Sequence, residues 1–162
     1  MRFEHVNHYA AGPDAVLAML TTPAFRDHVC VRQGALDHDV DVKGEGVGAV
    51  VLIARTQSLE GAPSVATKVV GDTVRIVQRE EWRTGTEAGF AMEIPGKPGR
   101  LDGTIVLRDN GDGTTDQLFT GEVKVTIPLL GKKLEQMIAS ILERALVKEG
   151  QVGASWLADN SS

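Results

Sequence analysis

Periodicity turns a handful of polar side chains toward apolar faces of this chain, and these are the residues able to do chemistry on an enclosed molecule. Strand alternation groups His5 with Phe3, Asn7 and Tyr9, and His38 with Leu36, Val40 and Val42. A neutral imidazole so placed can ligate a metal or bond a ligand carbonyl; it can equally donate to a backbone carbonyl or reach water at a rim. Glu80 shares a face with Val74, Ile76, Gln78 and Trp82. A carboxyl there has a raised pKa if nothing neutralises it, and then suits general acid or base work. The competing reading pairs Glu80 with an arginine or lysine at a strand edge. Lys148 and Glu149 interrupt an apolar helical face near its two margins. They either hold the polar end of an amphiphile at a cavity mouth or snorkel to solvent.

Other chemistries lack their spacing. No His-x-x-x-His spacing marks a metal site and carboxylates are not grouped with these histidines, so neither metal nor cofactor is expected. Gly44-Glu45-Gly46-Val47-Gly48 lies between strands and opens no helix, so it cannot cradle a phosphate. Ser58 and Ser64 stand outside any nucleophile elbow, and no catalytic residue is assigned. Cys30 is the single cysteine, which removes internal disulfides and Cys-rich metal sites. It reads as a small, partly buried apolar residue.

The elements that position these residues follow from pattern and punctuation. Phe3 to Tyr9 is a first strand. Gly12-Pro13-Asp14 opens one short helix and Thr21-Thr22-Pro23 a second, with Thr22 at the N-cap and Ala24, Phe25 and Val29 on the apolar side. Strands follow over Leu36–Val42, Val47–Thr56, Val74–Arg83, Gly89–Ile94, Leu101–Arg108 and Gln117–Ile127, with a hairpin at Asn110-Gly111-Asp112-Gly113. The connection from Gly61 to Gly71 has room for a short helix. Beyond Pro128, Leu130, Leu134, Met137, Ile138, Ile141, Leu142, Ala145, Val152 and Trp156 fall on one side of a long helix. Such a helix needs a broad apolar surface, which only the preceding strands supply.

With 162 residues, 42% hydrophobic and 24% charged, the chain fits one soluble globular domain. It is expected over residues 1–158, with 159–162 a frayed tail. A net charge of −5 argues against a nucleic-acid partner, which needs a clustered basic stripe. Lys132-Lys133 is the one adjacent basic pair in this reading, a solvated helix face or, alternatively, a lipid contact. No stretch approaches the roughly 18–20 apolar residues of a membrane span, and the N-terminus shows no signal core, so a cytoplasmic protein is expected.

Strand, two short helices, about six antiparallel strands and a long helix resemble the START-like, or birch-pollen-allergen-like (SRPBCC), helix-grip superfamily. The stretches Met1-Arg2-Phe3-Glu4-His5, Val70-Gly71-Asp72 and Gly121-Glu122-Val123-Lys124-Val125 further resemble a bacterial branch classed as a domain of unknown function. The resemblance implies an α+β fold in which a curved sheet of about seven strands grips the C-terminal helix around an apolar cavity. It also implies that the first two strands pair, bringing His5 near His38. Members of the superfamily bind lipids, sterols, polyketides or hormones, and some are cyclases, hydrolases or oxygenase subunits, so fold alone leaves the activity open.

The reading is a binder of a hydrophobic small molecule or lipid, acting as carrier or sensor. Its expected ligand-binding residues are His38, Glu80, Trp82, Phe90, Met92, Leu101 and Ile105, closed by Met137, Ile138, Ile141 and Leu142. One rival is a cyclase-like or hydrolase-like enzyme using Glu80, His5 or His38 in the same cavity. The other is a protein-interaction module presenting the acidic strand of Asp37, Asp39 and Asp41.

Overall fold

A computed structural model describes residues 1–160. Its elements are β1 (Arg2–Tyr9), α1 (Pro13–Leu20), α2 (Pro23–Arg32), β2 (Asp37–Lys43), β3 (Val50–Ser58), α3 (Ser64–Val70), β4 (Thr73–Trp82), β5 (Glu87–Glu93), β6 (Gly99–Asp109), β7 (Thr115–Val125) and α4 (Gly131–Asp159). All seven strands join one antiparallel sheet in the order β1-β7-β6-β5-β4-β3-β2. The helix-grip architecture and the long terminal helix are as the sequence pattern implies. One expectation fails: β1 and β2 are the two opposite edges of the sheet, so His5 and His38 do not meet. The α1–α2 excursion carries the chain across the whole width of the sheet between them.

Register places the inner face in rows. Phe3, Gly121, Gly103, Phe90, Glu80 and Val51 form one row; Val123, Leu101, Met92, Gln78, Ile53 and Val40 form the next. Arg55 lies one row on, between His38 and Ile76. At the centre of the first row the glycines allow β6 and β7 to approach closely. A Cβ on Gly103 would collide with the Thr120 carbonyl oxygen, and one on Gly121 would stand 2.7 Å from the Asp102 oxygen. Glycine at such a pair is where a sheet can bend sharply.

The buried side of α4 follows Leu134, Ala139, Leu142, Leu146, Glu149, Val152 and Gly153. It lies on β1 and β7 and against α1 and α2. Small residues set the approach: a Cβ on Gly150 would stand 2.6 Å from Asn7 Oδ1, and one on Gly153 2.6 Å from Tyr9 Cε1. Met137, Ile138 and Ile141, by contrast, are half-buried. Thr22 occupies the N-cap of α2 but makes no capping bond; its hydroxyl donates back to the Ala18 carbonyl at 2.6 Å. At the far end, Asn160 caps α4 through its backbone and side-chain nitrogens on the Trp156 carbonyl. Of the tail expected to fray, Ser161 and Ser162 lie outside the described residues.

Candidate functional site

Under the middle of α4 the core turns polar. Arg26 of α2 points inward because Phe25, Val29 and Cys30 on the same helix face are buried. Its Nε donates to the Leu20 carbonyl at 2.7 Å, Nη2 to Glu80 Oε1 at 2.6 Å and Nη1 to Glu149 Oε1 at 3.0 Å. One guanidinium thus ties α2 to β4 and to α4, with both ion pairs almost fully buried. The remaining carboxylate oxygens are held by amides: Gln78 Nε2 donates to Glu80 Oε2 at 2.7 Å and Gln117 Nε2 to Glu149 Oε2 at 3.3 Å. Tyr9 donates its hydroxyl to Gln117 Oε1 at 3.1 Å, and Asn7 Nδ2 bonds the Leu146 carbonyl at 3.0 Å. His5 Nε2 meets Asn7 Oδ1 at 2.8 Å, which ends the chain of bonds at the edge strand.

Beside this network is a cavity of about 10 Å³, bordered by α2 (Arg26, Val29, Cys30), the α2 C-cap Gln33, inner-face residues of β3, β4 and β5 (Ile53, Arg55, Gln78, Met92) and α4 (Leu142, Ala145, Leu146, Glu149). That is space for about one water molecule. Gln33 fastens the seam between α2 and α4, its Nε2 donating to the Ala145 carbonyl at 3.0 Å. Among the described residues, two buried side-chain nitrogens lack a hydrogen-bond partner: Arg55 Nε and Trp82 Nε1.

Electrostatics follow from burial and pairing. Burial pushes the Glu149 carboxyl above its ordinary value, against the pull of Arg26. Burial works against charge on Arg26, yet Glu80 and Glu149 more than offset it and raise its pKa. Arg55, with no such partner, is pulled down by burial. Burial also pushes the Tyr9 phenol up, reinforced by Glu149, and raises the Cys30 thiol. Among the described residues no three His, Cys, Asp or Glu side chains group as a metal site.

Of the residues expected to contact a ligand, Met92 and Leu142 border the cavity. Trp82, Phe90, Leu101 and Ile105 are buried in the hydrophobic core, and Met137, Ile138 and Ile141 lie half-buried along the first half of α4. His38 faces inward at the rim, its Nε2 3.1 Å from Asp27 Oδ1. Glu80 is both buried and paired, with the arginine coming from α2 rather than from a strand edge. Glu149 is a correction: it sits 3% exposed at the centre of the buried face, not at a margin. Lys148 is half-buried on the opposite side, lining an open surface groove with Ser140, Glu143, Arg144, Val147 and Gln151.

Sequence reasoning missed Arg26, Arg55 and Gln117. For Arg26 a signal existed: it falls within the stripe of Phe25, Val29 and Cys30, where a charged residue is anomalous. For Arg55 there was none, because β3 reads Val50-Val51-Leu52-Ile53-Ala54-Arg55, apolar on both phases. The acidic strand proposed as a docking face is itself engaged, since Asp37 and Asp39 both bond Arg75 on the outer face of the sheet.

A sheet of seven antiparallel strands wrapped on one long helix defines a protein of the helix-grip fold. Within it, the chain belongs to the DUF2505 family, described as proteins of unknown function, whose model matches residues 4–157. No curated protein sequence matches the chain. Among solved structures, TTHA0849 from Thermus thermophilus is similar at TM-score 0.68 and 16% identity, each chain covered over 100% of its length. The ZhuI aromatase/cyclase from Streptomyces sp. R1128 is similar at TM-score 0.64 and 13% identity, over 100% of this chain and 96% of the other. Norcoclaurine synthase from Thalictrum flavum, in complex with dopamine and hydroxybenzaldehyde, is similar at TM-score 0.60 and 13% identity, over 100% of this chain and 88% of the other. At these identities the likeness is one of fold.

Proposed function

We propose that the protein binds a hydrophobic small molecule between the inner face of β3–β5 and the first half of α4, as a carrier or sensor. The observation that carries this reading is the cavity beside Met92 and Leu142, where an apolar wall meets unsatisfied buried polarity. A solid core has no use for an unpartnered donor, which costs about 1–3 kcal/mol. A chamber that admits a ligand does. An aromatase/cyclase and a synthase in complex with dopamine and hydroxybenzaldehyde among the structural neighbours support the choice of a small organic ligand.

The free volume of about 10 Å³ means that such a ligand enters by displacement. Half-buried Met92, Met137, Ile138 and Ile141 form the adjustable wall, since methionine fills irregular space at low cost. Release of the Gln33 bond to Ala145 opens the seam. Both buried carboxylates are clamped by Arg26, which favours binding over acid–base turnover.

The test is fluorescence titration with the neutral apolar dye N-phenyl-1-naphthylamine. Wild type is expected to bind it saturably, and Ala145→Phe or Met137→Trp to block it while remaining folded. No binding, together with strong destabilisation by both substitutions, would mean that the interior is a solid core.

A further inference from the structure

The two buried arginines are treated differently by the fold. Arg26 bonds a backbone carbonyl and two carboxylates. Arg55, 4% exposed, donates one bond to a neutral acceptor, from Nη1 to Gln78 Oε1 at 3.2 Å, and its Nε has no partner. No carboxylate nearby is free to serve it. Glu80 is shared by Arg26 and Gln78, and Glu149 by Arg26 and Gln117. Asp27 meets His38, and Asp37 and Asp39 are on the outer face with Arg75. Thus a guanidinium with spare donors borders the cavity, next to Gln78, Cys30 and Met92.

Burying an arginine without a counterion is costly, and removing it in favour of an aliphatic residue would ordinarily stabilise such a site. The planar guanidinium offers two parallel N–H groups, a geometry that fits a carboxylate and that a lysine cannot reproduce. Ile53, Met92, Leu142 and Leu146 form the apolar side of the cavity, while Arg26, Glu149 and Gln33 on its other side have partners of their own.

We infer that Arg55 is the residue that selects the ligand, and that the ligand is an apolar carboxylic acid whose carboxylate pairs with the Arg55 guanidinium. This rests on the proposed binding chamber and adds the chemistry of its occupant. The carboxylate accepts from Nε and the adjoining Nη2, Gln78 retains Nη1, and the apolar body displaces the side chains of Met92 and of the first half of α4.

The experiment compares cis-parinaric acid with its methyl ester, two fluorescent probes with one apolar chain and one charge between them. Each is titrated into wild type, Arg55→Met and Arg55→Lys near pH 7.5, with the neutral dye as a control on the chamber itself. Wild type is expected to bind the acid about tenfold or more tighter than the ester, the worth of one charge-assisted hydrogen bond. Arg55→Met should bring acid and ester within about twofold while keeping dye binding, and Arg55→Lys should fall between. Equal affinity of wild type for acid and ester overturns the inference even if the dye binds. So does an acid preference that survives in Arg55→Met. If neither parinaric probe nor dye binds wild type, the chamber reading fails and the inference falls with it. Should Arg55→Met not fold, the wild-type ratio and Arg55→Lys decide.

Discussion

The two halves of α4 meet the sheet in contrasting ways. From Leu146 onward the helix is gripped: Gly150 and Gly153 bring its backbone onto Asn7, Tyr9 and Met19, and Glu149 is locked by Arg26 and Gln117. Between Leu134 and Ala145, Met137, Ile138 and Ile141 stand half-buried, and a cavity lies beneath the turns from Leu142 to Glu149, where the two halves meet. Close backbone approach through glycine leaves no slack, whereas Met137, Ile138 and Ile141 can change rotamer without moving the backbone. Under the proposed function one helix serves as a fixed anchor and as an adjustable wall, and the polar network marks the boundary.

Breaking that boundary should have the largest effect. Arg26→Met leaves Glu80 and Glu149 buried without their cation and is expected to cost about 3–5 kcal/mol in chemical denaturation. Adding Glu80→Gln and Glu149→Gln to the same chain should recover most of the loss. If the triple variant is no more stable than the single one, the cost lies in packing and not in charge.

Next comes the anchor. Gly153→Val drives a side chain into Tyr9 and Met19, which a Cβ alone would approach to 2.6 and 3.1 Å, and should cost about 1–3 kcal/mol. On the adjustable wall, Ile141→Ala should fall below the roughly 2–5 kcal/mol of a fully packed isoleucine, because the side chain is only half-buried. A loss at Ile141 within the fully packed range, or no loss at Gly153, measured as denaturation midpoints at constant slope, would erase the contrast.

The smallest effect is a pH slope. Because the folded-state pKa of Glu149 lies above its ordinary 4.5, folding favours its protonated form. Its contribution is complete below pH 4.5 and is lost as pH rises through the folded-state value. Glu149→Gln should therefore show a flatter dependence of stability on pH above 4.5 than wild type. An unchanged slope would mean that the carboxyl titrates alike in both states.

How legible was this in the sequence? The order of strands and helices was, because turn residues punctuate it: Pro13 and Pro23 open helices α1 and α2, and Gly111 and Gly113 turn the β6–β7 hairpin. The face of β4 carrying Gln78, Glu80 and Trp82 was also readable, since Arg75, Arg79 and Glu81 mark the opposite side. The approach of His5 to His38 fails because strand order is a non-local property that alternation does not encode. Bulky residues alone trace the buried stripe of α4 off its true centre, which Ala139, Gly150 and Gly153 set. Small residues add little to an apolar periodicity while deciding where backbones touch. The cavity was expected to be apolar and roomy, and its closure by an ion-paired network depends on Arg26, Glu80 and Glu149, which lie on separate elements.

Methionine methyl resonances test the central claim most directly, because the four methionines sample both regions. Met92 borders the cavity and Met137 belongs to the proposed adjustable wall, while Met19 packs against Gly153 in the anchor. With methyl-labelled protein titrated with N-phenyl-1-naphthylamine, the Met92 and Met137 signals should shift saturably while Met19 stays in place. Shifts confined to Met19, or a spectrum unchanged at saturating dye, would contradict a ligand chamber beneath the first half of α4.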